Sequence, residues 1–231
     1  MKTRLPLILL SGVAFAASLF AGAPNALTPA EKAAGWQSLF DGATLAGWRG
    51  YEHEAPGAGW QVVDGVLTLK GKAGDLVTVK EFGDFELSLE WKVTETANSG
   101  VIYRVGLGEK ATFLTGPEYQ VLDNDKVDDN KSTNHLAASL YDIALDPAAK
   151  PRPVGEWNEA RIAVRGWRIE HWLNGVKVVD VDLASAEGKA LIAASKFKDW
   201  PKFASLARGH IALQDHGHEV SYRAIKVREL K

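Results

Sequence analysis

Residues 60–69 have the sequence Trp60-Gln61-Val62-Val63-Asp64-Gly65-Val66-Leu67-Thr68-Leu69. Two runs of β-forming residues flank an Asp-Gly pair, which is the pattern of a β-hairpin closed by a tight primed turn. Asn174-Gly175 divides residues 168–173 from 176–182 in the same way. Further candidate strands follow at short intervals, at residues 76–81, 85–93, 101–105, 119–123, 159–165, 210–214 and 220–228. About ten short strands with little helix predict an all-β fold, an antiparallel two-sheet sandwich.

Two short helices are expected beside the strands. Thr28-Pro29-Ala30-Glu31 has the form of a capping box with proline at the first helical position, so a short N-terminal helix should run to about Ala34. The Ala-rich stretch 188–197 predicts a short helical insert. The chain has no Pro/Gly-rich linker or repeat that would divide it, and we predict a single domain over residues 27–231.

The N-terminus has the pattern of a signal peptide, which we place at residues 1–26. Lys2 and Arg4 precede an apolar run at 5–20, and small residues follow at 21–26. The expected location is therefore periplasmic or secreted. The chain contains no cysteine, which excludes a lipoprotein anchor and disulfide bonds.

The net charge and the tryptophan content limit the kinds of ligand and partner that we expect this chain to bind. A net charge of −2 and a pI near 6.3 give no reason to expect nucleic acid or an anionic membrane. Most of the eight tryptophans should lie in the core. One or two could serve as platforms for sugar rings, and the candidates next to Gly or Pro are Trp48, Trp60 and Trp200. The sequence does not indicate an oligomeric state.

Polar residues alternate with apolar ones along residues 209–217, Gly209-His210-Ile211-Ala212-Leu213-Gln214-Asp215-His216-Gly217. In a strand, this puts His210, Gln214 and His216 on one face, where they need water or a ligand. Three other predicted strands alternate similarly. If their polar sides share one sheet face, six side chains converge there: Glu90, Arg104, Glu118, Gln120, Gln214 and His216. The alternative is a face that is merely solvated.

Spacing does not support ordinary two-carboxylate glycoside hydrolysis. Glu86 and Glu90 lie four residues apart on one strand, roughly 13 Å. Retaining and inverting enzymes need about 5–5.5 Å and about 6.5–9.5 Å between their carboxyl groups. A Glu90–Glu118 pair would require neighbouring strands, which the sequence does not establish. The acidic loop at 123–129 lacks the ligand pattern and the glycine of a calcium-binding loop.

Short motifs follow one another from about Trp36 to Leu230: Ser38-Leu39-Phe40-Asp41-Gly42, Gly47-Trp48, Trp60-Gln61-Val62, Asp84-Phe85-Glu86-Leu87, Glu90-Trp91, Asn98-Ser99-Gly100-Val101, Gly116-Pro117-Glu118-Tyr119-Gln120-Val121-Leu122-Asp123, Ser139-Leu140-Tyr141-Asp142, Gly155-Glu156-Trp157-Asn158, Trp172-Leu173-Asn174-Gly175, Gln214-Asp215-His216-Gly217 and Tyr222-Arg223. This ordered set resembles the secreted 3-keto-disaccharide hydrolase family. The resemblance implies a concanavalin-like jelly-roll sandwich, in agreement with the strand pattern. One departure is Ala224, where the family pattern leads us to expect Asn after the arginine.

The resemblance also implies a small carbohydrate substrate that is already a ketone at C3 of a glucosyl unit, such as 3-ketotrehalose or a 3-keto-glucoside. A C3 ketone acidifies the C2 proton, so a base can remove it and the C1 substituent can leave by elimination. Water then adds, and the net reaction is hydrolysis. The protein must supply a base, donors for the enolate oxygen and an acid for the leaving oxygen.

We assign candidate roles on this basis. His216 or Glu118 is the base, Arg104 with Gln120 or Gln214 stabilises the oxyanion, and Glu90 is the acid or an orienting group. Further substrate-binding candidates are Asn98, Tyr141, Asp123 and Trp200. The sequence establishes no cofactor, and a divalent metal ion held by His216 and the carboxylates could polarise the ketone, with a ligand set that the sequence does not define.

Two other classes of function remain open. A non-catalytic carbohydrate-binding module of lectin type would use the same fold with aromatic platforms and amides but no base. A domain that scaffolds a cell-envelope complex would instead expose an apolar patch and would not bring Glu90, Arg104, Glu118 and His216 together.

Overall fold

The structure, a computed structural model, describes residues 24–148 and 150–231. The predicted signal peptide lies outside the described residues except for its last three positions. The helices are α1 (Pro29–Ala33) and α2 (Ala186–Ala194), and the strands are β1 (Gln37–Ser38), β2 (Trp48–Gly50), β3 (Trp60–Val63), β4 (Val66–Leu69), β5 (Leu76–Thr78), β6 (Phe85–Val93), β7 (Asn98–Val105), β8 (Glu118–Leu122), β9 (Asn158–Arg165), β10 (Arg168–Leu173), β11 (Val176–Asp182), β12 (His210–Leu213) and β13 (Val220–Glu229).

The strands form two antiparallel sheets. The larger sheet has the order β11-β10-β9-β6-β13-β4-β3, with β1 added beside β13. The smaller sheet has the order β2-β5-β12-β7-β8. Both predicted hairpins are present, since β3 pairs with β4 and β10 pairs with β11 in antiparallel register. The all-β sandwich prediction is confirmed.

The inner faces of the two sheets enclose the core. Trp48 and Trp60 are buried there, and their indole N–H groups donate to the carbonyl oxygens of Leu39 (2.6 Å) and Gly74 (2.8 Å). A ring enclosed in this way cannot stack on a sugar, so the platform interpretation was wrong for these two tryptophans. Each is the first residue of a strand, β2 or β3, and not a loop residue as its Gly neighbour suggested.

One histidine joins the sheets inside the core. His171 on β10 is fully buried, and its ring nitrogens contact the Tyr103 hydroxyl (2.9 Å) and the Ala138 carbonyl oxygen (3.0 Å). Burial lowers the pKa of His171 to about 4. The imidazole is therefore neutral near pH 7 and serves as a polar link between the layers.

Both predicted helices are present, with bounds that differ from those predicted. The capping box at Thr28 is present and starts α1. The helical insert begins at Ala186 and ends at Ala194, before a 3-10 turn at Lys196–Asp199. Ser195 ends the helix and its hydroxyl then accepts the N–H of Phe197 (3.1 Å), so one serine fixes the change of direction. This turn brings Lys196 to the edge of the smaller sheet.

Candidate active site

A pocket lies against the outer face of the smaller sheet, over strands β7 and β8. Its volume is about 220 Å³, and it is lined by Asn98, Phe113, Glu118, Gln120, Asp129, Tyr141, Lys196, Gln214 and His216. A larger, more open hollow of about 620 Å³ shares Asn98, Asp129 and His216 with the pocket and continues past His218. The two hollows form one cleft with an enclosed end and an open end.

Strand register explains why these residues meet. On β8, Tyr119 and Val121 point into the core, so Glu118 and Gln120 take the opposite face, as the alternation predicts. Strand β7 lies beside it, with Gly100 opposite Gln120. Loops add the other walls. The structure therefore brings six of the ten predicted site residues to the pocket: Asn98, Glu118, Gln120, Tyr141, Gln214 and His216.

Glu118 is the central feature of the pocket. Its side chain is almost fully buried, with a relative exposure of 7% for the residue, and its carboxyl makes no hydrogen bond or ion pair within the described part of the chain. A Cβ atom at Gly100 would overlap this carboxyl, so the glycine leaves the space that the carboxyl occupies. Burial raises the pKa of Glu118 to about 8, against a smaller opposing effect of the Lys196 charge.

Lys196 is a functional candidate that the sequence did not reveal. Its ammonium lies over the Tyr141 ring, 4.1 Å from the centroid, and its backbone N–H donates to Asp142 (2.7 Å). Burial lowers the pKa of Lys196, while the charges of Glu118, Asp142 and Asp129 oppose that shift. The only sequence signal was a single lysine between the Ala-rich stretch and Phe197, which is equally typical of a solvated turn.

The Asn98 amide and the His216 and His218 rings form further walls of the cleft. The Oδ1 atom of Asn98 is buried and has no hydrogen-bond partner within residues 24–148 and 150–231. Because a buried acceptor normally has a donor, Asn98 is suited to accept one from a bound hydroxyl group. The rings of His216 and His218 are stacked at 5.6 Å, and the His218 Nδ1 atom accepts the Asn98 N–H (3.3 Å).

A hydrogen-bonded group of side chains supports the wall at Tyr141. The Tyr141 hydroxyl donates to Asp129 (2.8 Å), and its ring stacks on His135 at 4.6 Å. The His135 ring contacts Asp129 through Nδ1 (3.0 Å) and Asp142 through Nε2 (2.9 Å). Tyr141 thus lines the pocket, as predicted, and the acidic loop holds it there.

Arg104 does not reach the cleft, so its predicted convergence with Glu118 was wrong. Its guanidinium donates to the Gly83 and Gly166 carbonyl oxygens and to Asp84 (2.9 Å). The register between β7 and β12 shifts near this residue, and Arg104 has a φ of 53°. Such a bulge inserts one residue and reverses the side to which the following side chain points. Strict alternation could not anticipate it.

Glu90 also lies outside the cleft, and its predicted place there was wrong. It belongs to β6 in the larger sheet, where its carboxylate accepts the Arg223 Nε–H (2.6 Å). Arg223 in turn stacks over Trp157, 4.1 Å from the ring centroid. The polar face of β6 is real, but it is the outer face of the opposite sheet. Period-two alternation identifies a face and does not say to which sheet the face belongs.

Two residues that were predicted to bind substrate, Asp123 and Trp200, make contacts that support the structure. The Asp123 carboxylate accepts the N–H groups of Thr96 (2.9 Å) and Asp125 (3.0 Å) and so fixes the turn after β8. Trp200 packs edge-on against Phe197 at 5.1 Å and behind Phe113 at 6.0 Å, and does not line the pocket. Phe113 lines the pocket, and Trp200 packs against it. Neither Asp123 nor Trp200 lines this pocket.

Among the described residues, no group of three or more His, Asp and Glu side chains lies close enough to share a metal ion. Over the same residues, no helix is long and apolar enough to span a membrane.

A polar pocket with a buried, unpaired carboxyl, a nearby ammonium and free amide groups, on a concanavalin-like sandwich, is suited to acid–base chemistry on a bound polar ligand. The chain belongs to the family described as the 3-keto-alpha-glucoside-1,2-lyase-like domain, which it matches over residues 35–228. The resemblance inferred from the motifs is confirmed.

Individual relatives agree with this membership. The chain is 34% identical over 253 residues to the 3-keto-disaccharide hydrolase of Bacteroides thetaiotaomicron, covering 94% of this chain and 86% of that protein. The crystal structure of a candidate glycosyl hydrolase from Parabacteroides distasonis superposes with a TM-score of 0.85 at 32% identity, covering 90% of this chain and 99% of that chain. The carbohydrate-binding module CBM66 of Bacillus subtilis has a TM-score of 0.50 at 12% identity over 79% of this chain and 96% of the module, which concerns the fold alone. The relatives support a glycoside-hydrolase-like enzyme with a small carbohydrate ligand.

Proposed function

We propose that this enzyme cleaves 3-keto-glycosides, such as 3-ketotrehalose or a 3-keto-glucoside, by elimination at C1–C2 followed by addition of water. The observation that carries the proposal is the buried Glu118 carboxyl, whose pKa of about 8 makes it a stronger base than an exposed carboxylate. A proton next to a ketone is weakly acidic, and its removal requires such a base. Family membership supplies the substrate class.

The proposed reaction has three steps. Glu118 removes the C2 proton, and the electrons of the C–H bond form an enolate whose oxygen at C3 is stabilised by the Lys196 ammonium. The enolate returns to a ketone as the C1–O bond breaks, which leaves a C1=C2 double bond. The protonated Glu118 exchanges its proton with solvent. Water then adds at C1 while C2 takes a solvent-derived proton from Glu118, so that no net oxidation occurs.

The remaining pocket residues fit supporting roles. Asn98, Gln120 and Gln214 offer amide donors and acceptors for the sugar hydroxyls. His216 lies where the enclosed pocket opens into the larger hollow. The departing group must pass this point, and the His216 ring there is placed to donate a proton to the leaving oxygen. The sequence left His216 and Glu118 as alternative bases, and burial favours Glu118.

A non-catalytic binding module is the other candidate that the sequence left open. A module has no use for an unpaired buried carboxyl, because burial of that group costs free energy without improving the contact to a neutral sugar. The site therefore favours the enzyme over the module.

The test is incubation of the purified protein with 3-ketotrehalose and, separately, with trehalose in D₂O. We expect cleavage of the keto sugar only, with deuterium at C2 of the product. Cleavage of trehalose itself would contradict the substrate class, and cleavage without deuterium at C2 would contradict the elimination. In the same assay, Glu118→Gln should lose far more activity than His216→Gln if Glu118 is the base.

We also propose that the chain is exported and that its signal peptide is removed before Asn25. The side chain of Asn25 donates to the Gly65 carbonyl oxygen (2.8 Å) and accepts the Ala224 N–H (2.8 Å). Cleavage after residue 26, as first expected, would discard these contacts. Mass spectrometry of the exported protein should find an N-terminus at or before Asn25, and a start after residue 26 would contradict this boundary.

A further inference from the structure

A second, half-buried carboxylate takes no part in the proposed chemistry. Asp75 immediately precedes β5, and its two oxygens bind different loops. Oδ1 accepts the Asp215 N–H (2.8 Å), and Oδ2 accepts the Thr112 hydroxyl (2.5 Å). One side chain thus joins two loops that are more than a hundred residues apart in the sequence.

Each loop presents a pocket residue at the next position. His216 follows Asp215, and Phe113 follows Thr112 in a 3-10 turn. Both His216 and Phe113 line the pocket. Asp215 is itself held, because its Oδ2 atom accepts the N–H groups of residues 73 (2.5 Å) and 74 (2.7 Å). The end of β12 and the approach to β5 therefore form one rigid unit centred on Asp75.

We propose that Asp75 is a positioning residue that fixes His216 and Phe113 in the pocket and acts on Glu118 through its negative charge. This inference rests on the proposed function, since it assumes that Glu118 is the base. Its geometric part depends only on the two hydrogen bonds of the Asp75 carboxylate.

The effect of charge depends on the titratable groups around Glu118. Lys196, Asp75 and Asp129 act on its carboxyl by charge, Tyr141 and His216 line the same pocket, and the fully buried Tyr103 and Tyr222 lie in the core. After burial itself, Lys196 lowers the pKa of Glu118, and the charges of Asp75 and Asp129 raise it. Removing the Asp75 charge should therefore lower the pH at which Glu118 becomes a carboxylate.

Asp75→Asn and Thr112→Val test the two parts of the inference. Asp75→Asn removes the charge and weakens both hydrogen bonds, whereas Thr112→Val removes one hydrogen bond and keeps the charge. For Asp75→Asn, we expect kcat/KM on 3-ketotrehalose to fall about tenfold or more. The acidic limb of its pH profile should move to lower pH by about half a unit or more. For Thr112→Val, we expect a raised KM, a nearly unchanged kcat and an unmoved acidic limb.

The outcomes separate this inference from the proposed function. If wild-type protein does not cleave 3-ketotrehalose, the proposed function fails, and ¹³C NMR titration of the Glu118 carboxyl in ligand-free wild type and Asp75→Asn still tests the charge effect. If wild type is active, an Asp75→Asn variant with unchanged kcat/KM and unchanged acidic limb overturns the inference. Should Asp75→Asn not fold, an unchanged KM in Thr112→Val overturns the positioning role.

Discussion

Two buried glutamates, one on each sheet, have opposite surroundings. Glu86 on the larger sheet has a relative exposure of 3%, and Glu118 on the smaller sheet has 7%. Glu86 is paired with Arg161 and with Arg228, whose Nε lies 2.8 Å from the carboxylate. Glu118 has no such partner among the described residues, and the nearby cation, Lys196, lies over the Tyr141 ring. The two glutamates are therefore similarly buried, but only Glu118 lacks a charged partner among the described residues.

This difference between the two glutamates indicates which sheet carries the reactive carboxyl group. On the larger sheet, the buried Glu86 is paired with Arg161 and Arg228, and the Arg161 guanidinium stacks over Trp172 at 4.1 Å. A carboxylate that is paired in this way is a weak base and a structural element. On the smaller sheet, no arginine within the described residues pairs with Glu118, so its carboxyl is suited to exchange a proton, as the proposed function requires.

The largest expected effect is on activity and separates the two glutamates. Glu118→Gln should reduce kcat on a 3-keto-glycoside by about 10²–10⁴-fold, because an amide of the same shape cannot accept the C2 proton. The matched control, Glu86→Gln, should keep kcat within a few-fold of wild type and lower the melting temperature, because it breaks a buried ion pair. Steady-state kinetics and thermal denaturation of both variants measure this. Equal loss of activity in both would remove the distinction.

A second prediction concerns the space for the Glu118 carboxyl. Gly100→Ala adds a methyl group that would overlap the carboxyl and displace it, so kcat/KM should fall about 10- to 100-fold. Gly83→Ala is a suitable control, because the nearest atoms to its added Cβ are at ordinary contact distance, 3.6 Å or more. Wild-type activity in Gly100→Ala would show that the carboxyl position is not critical.

Much of the fold could be predicted from residue patterns, because hairpin turns and period-two alternation are local. Asp64-Gly65 and Asn174-Gly175 mark their hairpins, and the alternation around Glu118 gives the correct side of β8. The pairing of strands into two sheets is not local. For this reason Glu90 was assigned to the wrong face, although its alternation within β6 was correct.

The rest of the site depends on features with no local signal. A single inserted residue at the Arg104 bulge turns its side chain toward Asp84. Lys196 reaches the pocket through a 3-10 turn after α2, and Asp75 acts through hydrogen bonds to loops distant in the sequence. Each requires knowledge of tertiary packing, whereas Asn98, Gln120 and Gln214 could be found because they lie on or next to regular strands.

A third prediction compares stability at different pH values. The folded-state pKa of Glu118, about 8, lies above the value near 4.5 expected for an exposed glutamate. Its contribution to stability is therefore fully present below about pH 4.5 and is lost as the pH rises through about 8. Glu118→Gln does not titrate, so its melting temperature should gain on that of wild type between pH 5 and pH 9. A constant difference across this range would show that the Glu118 pKa is not raised.

The smallest expected effect is at Ala224, which lies on the larger sheet far from the reacting groups. Ala224 has a φ of 53° beside the register shift between β13 and β6, a conformation that costs most residues free energy and that Asn tolerates better. This gives a physical reason for the Asn expected at this position.

Ala224→Asn should raise the free energy of unfolding by about 0.5 kcal/mol without changing kcat, since its N–H can still donate to Asn25. Ala43→Asn, at an exposed position without positive φ, serves as the control in denaturant unfolding and should show no gain. A loss of stability in Ala224→Asn would mean that the side chain, and not the backbone, determines the residue at this bulge.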